Sequence, residues 1–314
     1  MMFRNSVRLL LTNFSNVWKL LVYYIICLGI TVLLCLPIVS PVVSKLTEAG
    51  VFSDFVTFLN GIFSDPASLS INFEGVVNNF CSTISNFSGQ FMVNYILFGF
   101  IVVIVAPFIF GLGSLAMGDV LYGFMTSQVR YTFTGSYIRN LGKSCLYCLV
   151  KMLTILPINL VGFGIVILMM KLFMLGGVGY ILLNVLIFAA FLMLTALKVS
   201  LYNCWMPAMA VQNVGPFKAL KINFRAVFRK FFRIYSNAII LMLCAVVINF
   251  CLGVFTLCIG FVISIPLTAL AFIVFQMVAY FTSQGMRFYV YPDMFIAPKK
   301  FEEQDSLKKL RFLV

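Results

Sequence analysis

The chain has 314 residues, 62% of them hydrophobic and only 10% charged, with a mean hydropathy of +1.08. Soluble domains carry roughly 25% charge, so this composition excludes a water-soluble fold. The net charge of +13 is confined to four short stretches, 1–20, 130–151, 198–233 and 287–311, which hold all but Lys45 and Lys171 of the basic residues. Four acids, Glu48, Asp54, Asp65 and Glu74, lie in the segment containing Lys45. That distribution is the positive-inside pattern of a membrane protein, and no nucleic-acid partner is expected from it.

Arg4 and Arg8 precede an apolar run over about 17–39, long enough to span ~30 Å at about 1.5 Å per residue. No small-residue cleavage site follows, so the run reads as a first span and not a secretory signal. Residues 40–94 form the one long segment assigned to the outer side. Leu46, Phe52, Phe55, Phe58, Leu59 and Ile62 recur there at near-helical spacing. After Asp65-Pro66, so do Phe73, Val76, Val77, Phe80, Ile84 and Phe87. Two amphipathic helices forming an outer cap are predicted, either packed at the interface or acting as a lid. Asn86-Phe87-Ser88 fits a glycosylation acceptor, which has meaning only in a eukaryotic secretory pathway.

Further spans are predicted over about 95–117, 145–169, 178–197, 236–257 and 261–282, the last two forming a hairpin around Gly260. Six spans place both termini, and the tail 284–314, on the cytoplasmic side of a plasma membrane. Between the fourth and fifth spans lies GPFKALKINFRAVFRKFFRIY, residues 215–235. Lys218, Lys221, Arg225, Arg229 and Arg233 fall 3, 4, 4 and 4 residues apart, one basic stripe along a helix. Phe217, Leu220, Phe224, Val227, Phe228 and Phe231 form an opposing apolar stripe. Pro216 suits the first helical position, where its missing N–H costs nothing. A cytoplasmic helix that is basic on one side and aromatic on the other belongs at an anionic membrane surface.

An offset of 80 residues aligns Leu121-Tyr122 with Leu201-Tyr202, Gly135 with Gly215 and Tyr137 with Phe217. An offset of 210 aligns Arg8 with Lys218, Asn13-Phe14 with Asn223-Phe224, Val17 with Val227 and Lys19 with Arg229. Three copies of one unit, an amphipathic cytoplasmic helix followed by two spans, account for both.

The run WMPAMAVQNVGPFKALKINFRAVFRKFF, a proline-terminated span, short linker and Ala-Leu basic helix, resembles the membrane domain fused to some bacterial glycerophosphodiester phosphodiesterases and its stand-alone polytopic relatives. The resemblance implies an all-α integral membrane fold and a bacterial inner membrane. In the fused members catalysis belongs to a separate soluble barrel, and the roughly 30 residues after the last span fall far short of the ~250 a barrel needs. No family site residue transfers.

The chain has no histidine, which excludes Ser-His-Asp, Cys-His and His-ligated zinc chemistry. Cys145-Leu-Tyr-Cys148 has redox spacing without a βαβ context, and the cysteines read as small apolar residues. No catalytic residue, metal site or cofactor is expected. Lys151 is placed to snorkel, and Asp119 to pair with Lys143 or Lys151. Asn159, Asn184, Asn249 and Gln276 are intramembrane amides that either bond between helices or line a polar path, with Pro107, Pro157 and Pro266 nearby.

The expected function is therefore that of a non-enzymatic membrane protein binding anionic lipid, a partner protein or a second copy of itself through its basic helices. A transporter or lipid translocator is the alternative. An intramembrane enzyme using two carboxylates is disfavoured, because only Asp119 lies near the bundle.

Overall fold

The computed structural model describes residues 2–50, 52–57, 82, 89, 91–126, 132–175, 178–256, 259–291 and 294–296. Among them the protein is all-α apart from one two-stranded hairpin. Six helices are long and apolar enough to cross a membrane, as a multi-pass membrane protein requires. The chain divides into two compact units, residues 25–109 and residues 1–24 with 110–314.

The first unit is built on α2 (Asn16–Glu48) from Ile25 onward and on α3 (Phe91–Met125) as far as Ile109. Helix α2 runs well past the predicted end at 39, continuing through Pro37 and Pro41 to Glu48, where Lys45 pairs with Glu48 at 2.6 Å. The expected outer cap therefore begins as a continuation of the first span. The Asn94 side-chain amide ties the two helices by donating to the Ile38 carbonyl at 2.8 Å. Within α3, Ile101–Val105 is a π-helical turn, closed by the Ala106 N–H on the Ile101 carbonyl. Pro107 explains it: the ring lacks a donor and crowds the preceding turn, and a wider turn accommodates both. Residues 52–57 are helical, as are 82, 89 and 91–94; the other residues of the predicted cap between 58 and 90, nearly all of the second amphipathic helix among them, lie outside the described residues.

The other unit holds α1 (Met2–Thr12), the end of α3, α4 (Phe133–Leu175), α5 (Val178–Leu201), α6 (Trp205–Gln212), α7 (Pro216–Phe228), α8 (Phe231–Phe255) and α9 (Phe261–Gln284). A hairpin, β1 (Phe288–Tyr291) with antiparallel β2 (Met294–Ile296), follows within the predicted tail. Residues 133–144, ahead of the span predicted at 145–169, are continuous with it in α4, and no proline interrupts before Pro157. The α8–α9 hairpin turns at Gly260, where a Cβ would sit 2.5 Å from the Leu252 carbonyl oxygen.

The core lies where α1, α6 and α7 gather on α9, the sixth span. Trp205 is fully buried there, its indole N–H on the Pro216 carbonyl at 2.9 Å and its ring edge-on to Tyr147 at 5.1 Å. Helix α9 is the hub, packing against α1, α6, α7 and α8. Between 6 and 17% of each of the first five spans is buried inside the protein, against 44% of α9. Leu153, Leu160, Phe163 and Leu186 on α4 and α5 are all more than 60% exposed, the surface that hydrocarbon covers in a bilayer.

Candidate membrane-interface site

Helix α7 starts as its sequence dictates, with Gly215 extended (φ −70°, ψ 162°) as the N-cap and Pro216 in the first turn. It ends earlier than the basic stripe predicts. Lys230 adopts φ −140°, separating α7 from α8, so the helix expected over 215–235 is two helices meeting at Arg229–Lys230. Tertiary contacts force the break. The Lys230 ammonium turns inward and donates to the Thr282 carbonyl at 2.6 Å, capping the end of α9. Burial, with Arg233 and Arg229 nearby, holds its pKa below the ordinary lysine value.

The faces of α7 also differ from the expected two-sided pattern. The side turned into the protein carries Pro216, Ala219, Asn223, Ala226 and Val227, all buried. Small residues let α7 approach α6 closely, and Asn223 fastens the approach. Its side-chain oxygen accepts the Cys204 N–H at 2.9 Å and its amide donates to the Leu201 carbonyl at 2.8 Å, holding the α5–α6 turn. The outward side carries Phe217 (65% exposed) and Phe228 (67% exposed) next to exposed Lys218, Lys221 and Arg225. Aromatics and cations thus share the outer face instead of opposing one another. Phe224, Phe228, Phe231 and Tyr235 stack in series with centroids 6.2, 6.5 and 5.9 Å apart, carrying the aromatic flank across the break onto α8. Arg229 and Arg233 are exposed beside this ladder. Among the described residues the ion pairs are Lys45–Glu48 and Arg139–Asp119, so none of the five stripe cations has a carboxylate partner.

Asp119 is buried and paired, but with neither lysine expected. One carboxylate oxygen accepts from Ser136 Oγ at 2.8 Å, Arg139 Nη2 at 3.1 Å and Asn140 Nδ2 at 2.5 Å, joining α3 to α4. Lys143 instead donates to Asn213 Oδ1 at 2.5 Å, and Lys151 lies 5.2 Å from the Tyr147 ring centroid. Three donors on one carboxylate oxygen make Asp119 a structural clasp. Cys145 and Cys148 are free thiols.

The four amides of the expected polar path are dispersed. Asn159 on α4 is exposed and accepts the Lys198 ammonium at 3.0 Å. Asn249 on α8 accepts from Ser264 Oγ of α9 at 2.7 Å and donates to its own-helix Ala245 carbonyl. Asn184 on α5 has a buried amide oxygen without a partner among the described residues, and Gln276 is half-buried in α9. No hydrogen bond among the described residues joins any two of them. Sequence reasoning passed over Lys198, which sits one turn before Tyr202 at the end of the fourth span; its spacing from Tyr202 was the available signal.

No family model, curated protein or solved structure matches this chain.

Proposed function

We propose that this chain is a non-enzymatic membrane protein that holds anionic lipid through the outward face of α7 and the first turn of α8, at the cytoplasmic face of a bacterial inner membrane. Both termini lie on that side. One observation carries the reading: Phe217 and Phe228 stand exposed beside Lys218, Lys221 and Arg225, on a helix whose opposite face is fixed into the core. Rings at that position insert at the headgroup boundary while the cations meet phosphate oxygens. Each cation contributes about 1 kcal/mol on an anionic surface. The positive-inside distribution supports the orientation, and the sequence resemblance of 205–232 supports the bacterial setting.

Replacing Lys218, Lys221, Arg225 and Arg229 with Gln is expected to lower retention of phosphatidylglycerol by the purified protein at least tenfold. Retention of phosphatidylcholine stays the same. Equal retention of phosphatidylglycerol by the variant and the parent contradicts the reading.

A second reading, movement of lipid or a small solute, rests on Asn184, whose buried amide oxygen has no partner among the described residues. Proteoliposomes that show no flux of labelled lipid or small solutes would remove it.

A further inference from the structure

Helix α1 is tied at both ends to the starts of spans. In its first turn the Phe3 N–H donates to Asn237 Oδ1 at 3.1 Å. Asn237 lies one turn past Arg233 on α8 and donates to the Arg233 carbonyl at 2.6 Å. At its other end the chain passes through 13–15 directly into α2, the Phe14 N–H on the Leu11 carbonyl at 3.3 Å and the Asn16 N–H on the Asn13 carbonyl at 3.0 Å. Helices α2 and α8 are the first and fifth of the six spans, so both enter the bilayer from the same side. A helix of 11 residues held between two such starts lies along the membrane face.

One side of α1 is committed to the protein. Met2, Ser6 and Leu9 are buried, α9 packs against the helix, and Thr12 Oγ1 donates to the Val290 carbonyl of β1 at 3.1 Å. The other side is apolar and uncovered. Val7, Leu11, Phe14 and Trp18 fall 4, 3 and 4 residues apart and are all exposed, Leu11 by 62% and Trp18 by 58%. Arg4 and Lys19 stand exposed at its two ends, and the first carboxylate in the chain is Glu48.

This face corresponds position by position to the outward face of α7. At the offset of 210 that aligns the two sequences, Leu9, Asn13 and Val17 are buried where Ala219, Asn223 and Val227 are buried. Val7, Leu11, Ser15 and Trp18 are exposed where Phe217, Lys221, Arg225 and Phe228 are exposed. The outer positions thus stay apolar in both, while Leu11 and Ser15 replace two of the cations.

We propose that α1 and the first turn of α2 form a second membrane anchor, with Val7, Leu11, Phe14 and Trp18 entering the headgroup boundary, held by apolar insertion where α7 is held by charge. The occupant is the bilayer, because both ends of the helix are fixed to span starts, tryptophan favours the interface and the flanking cations suit phosphate headgroups. The inference extends the α7 reading, from which it takes the side of the membrane, and it requires no anionic lipid.

The test uses the full chain with Trp18→Phe and Leu11→Trp, leaving buried Trp205 as a constant background. It is reconstituted in phosphatidylcholine vesicles with and without lipid brominated near the headgroup. Brominated lipid is expected to quench the residue-11 signal about twofold or more, and adding phosphatidylglycerol leaves that quenching unchanged. Val7→Trp in the same background reads the flank at a second exposed position. If neither signal is quenched beyond that of the Trp18→Phe chain, the proposal is overturned; aqueous iodide then separates a face in water from one covered by protein. Quenching that appears only with phosphatidylglycerol overturns anchoring by apolar insertion. Phe228→Trp, read in phosphatidylglycerol vesicles, separates the two surfaces. Quenching at 228 but not at 7 or 11 removes the α1 anchor alone, and the reverse removes the α7 surface alone.

Discussion

At the scale of single residues, the fold is held by polar and small side chains whose roles depend on what lies across from them. Asn223 satisfies a backbone donor and a backbone acceptor in the α5–α6 turn. Removing it strands one buried and one part-buried group, the buried one costing about 1–3 kcal/mol. Asn223→Ala is therefore expected to lower the thermal midpoint in detergent strongly, whereas Asn213→Ala, at a helix end with φ 51° and exposed, lowers it less. Gly113 illustrates close approach: a Cβ there would lie 2.7 Å from Tyr23 Cε1. The Tyr23 ring is itself packed on Phe133 and Tyr137 at 5.8 and 5.7 Å, so it cannot give way cheaply. Gly113→Ala is expected to destabilise by about 1–3 kcal/mol, while Gly164→Ala, with open space around it, does not. A higher midpoint for Gly113→Ala than for Gly164→Ala would refute the packing at Tyr23. In the sequence Asn223 stood out only as a match to Asn13, because an asparagine among lysines and arginines reads as solvent-facing. Its burial is decided by the turn it clasps, which periodicity does not display.

At the scale of elements, the apolar runs made all six spans legible, since length and hydropathy alone fix what can cross a bilayer. Their ends were not legible. Helix α2 continues through two prolines and α4 begins well before 145, because a helix stops where its backbone groups find other partners, and not where its apolar residues run out. The basic helix was legible as a surface feature, but its faces were misassigned. The spacing predicts the large apolar residues on a stripe opposite the cations, as in an amphipathic helix. Next to lipid that separation relaxes, and here Ala219, Ala226 and Asn223 face the protein while Phe217 and Phe228 face outward. The break at Arg229–Lys230 follows from the Lys230–Thr282 bond, a contact between residues 52 apart that spacing within 215–235 does not reveal. If α7 lies at the membrane surface, a tryptophan at 228 will report it. In a Trp18→Phe background, where the remaining Trp205 is buried, Phe228→Trp fluorescence is expected to be quenched by lipids brominated near the headgroup. Quenching no greater than with unbrominated lipid would place α7 away from the bilayer.

At the scale of the whole molecule, the notable fact is where burial occurs. A polar and aromatic core gathers α1, α6, α7 and α9, whereas five of the six spans keep most of their surface outside the protein. Composition anticipated a membrane protein; it did not anticipate that burial centres on α9, because hydropathy cannot tell lipid-facing apolar residues from protein-facing ones. With six spans, residues 4 and 229 are expected on the same side. Cysteines introduced at each should react equally with an impermeant maleimide in inverted vesicles, and labelling of one but not the other would break that topology. The proposed function is tested most directly by native mass spectrometry on the gently extracted protein, recording total mass and retained lipid together. The expected result is this chain alone, or in copies of itself, carrying phosphatidylglycerol that the α7 glutamine variant loses. A stoichiometric second protein with no selectively retained anionic lipid would contradict it and make the outward face of α7 a protein-docking surface instead.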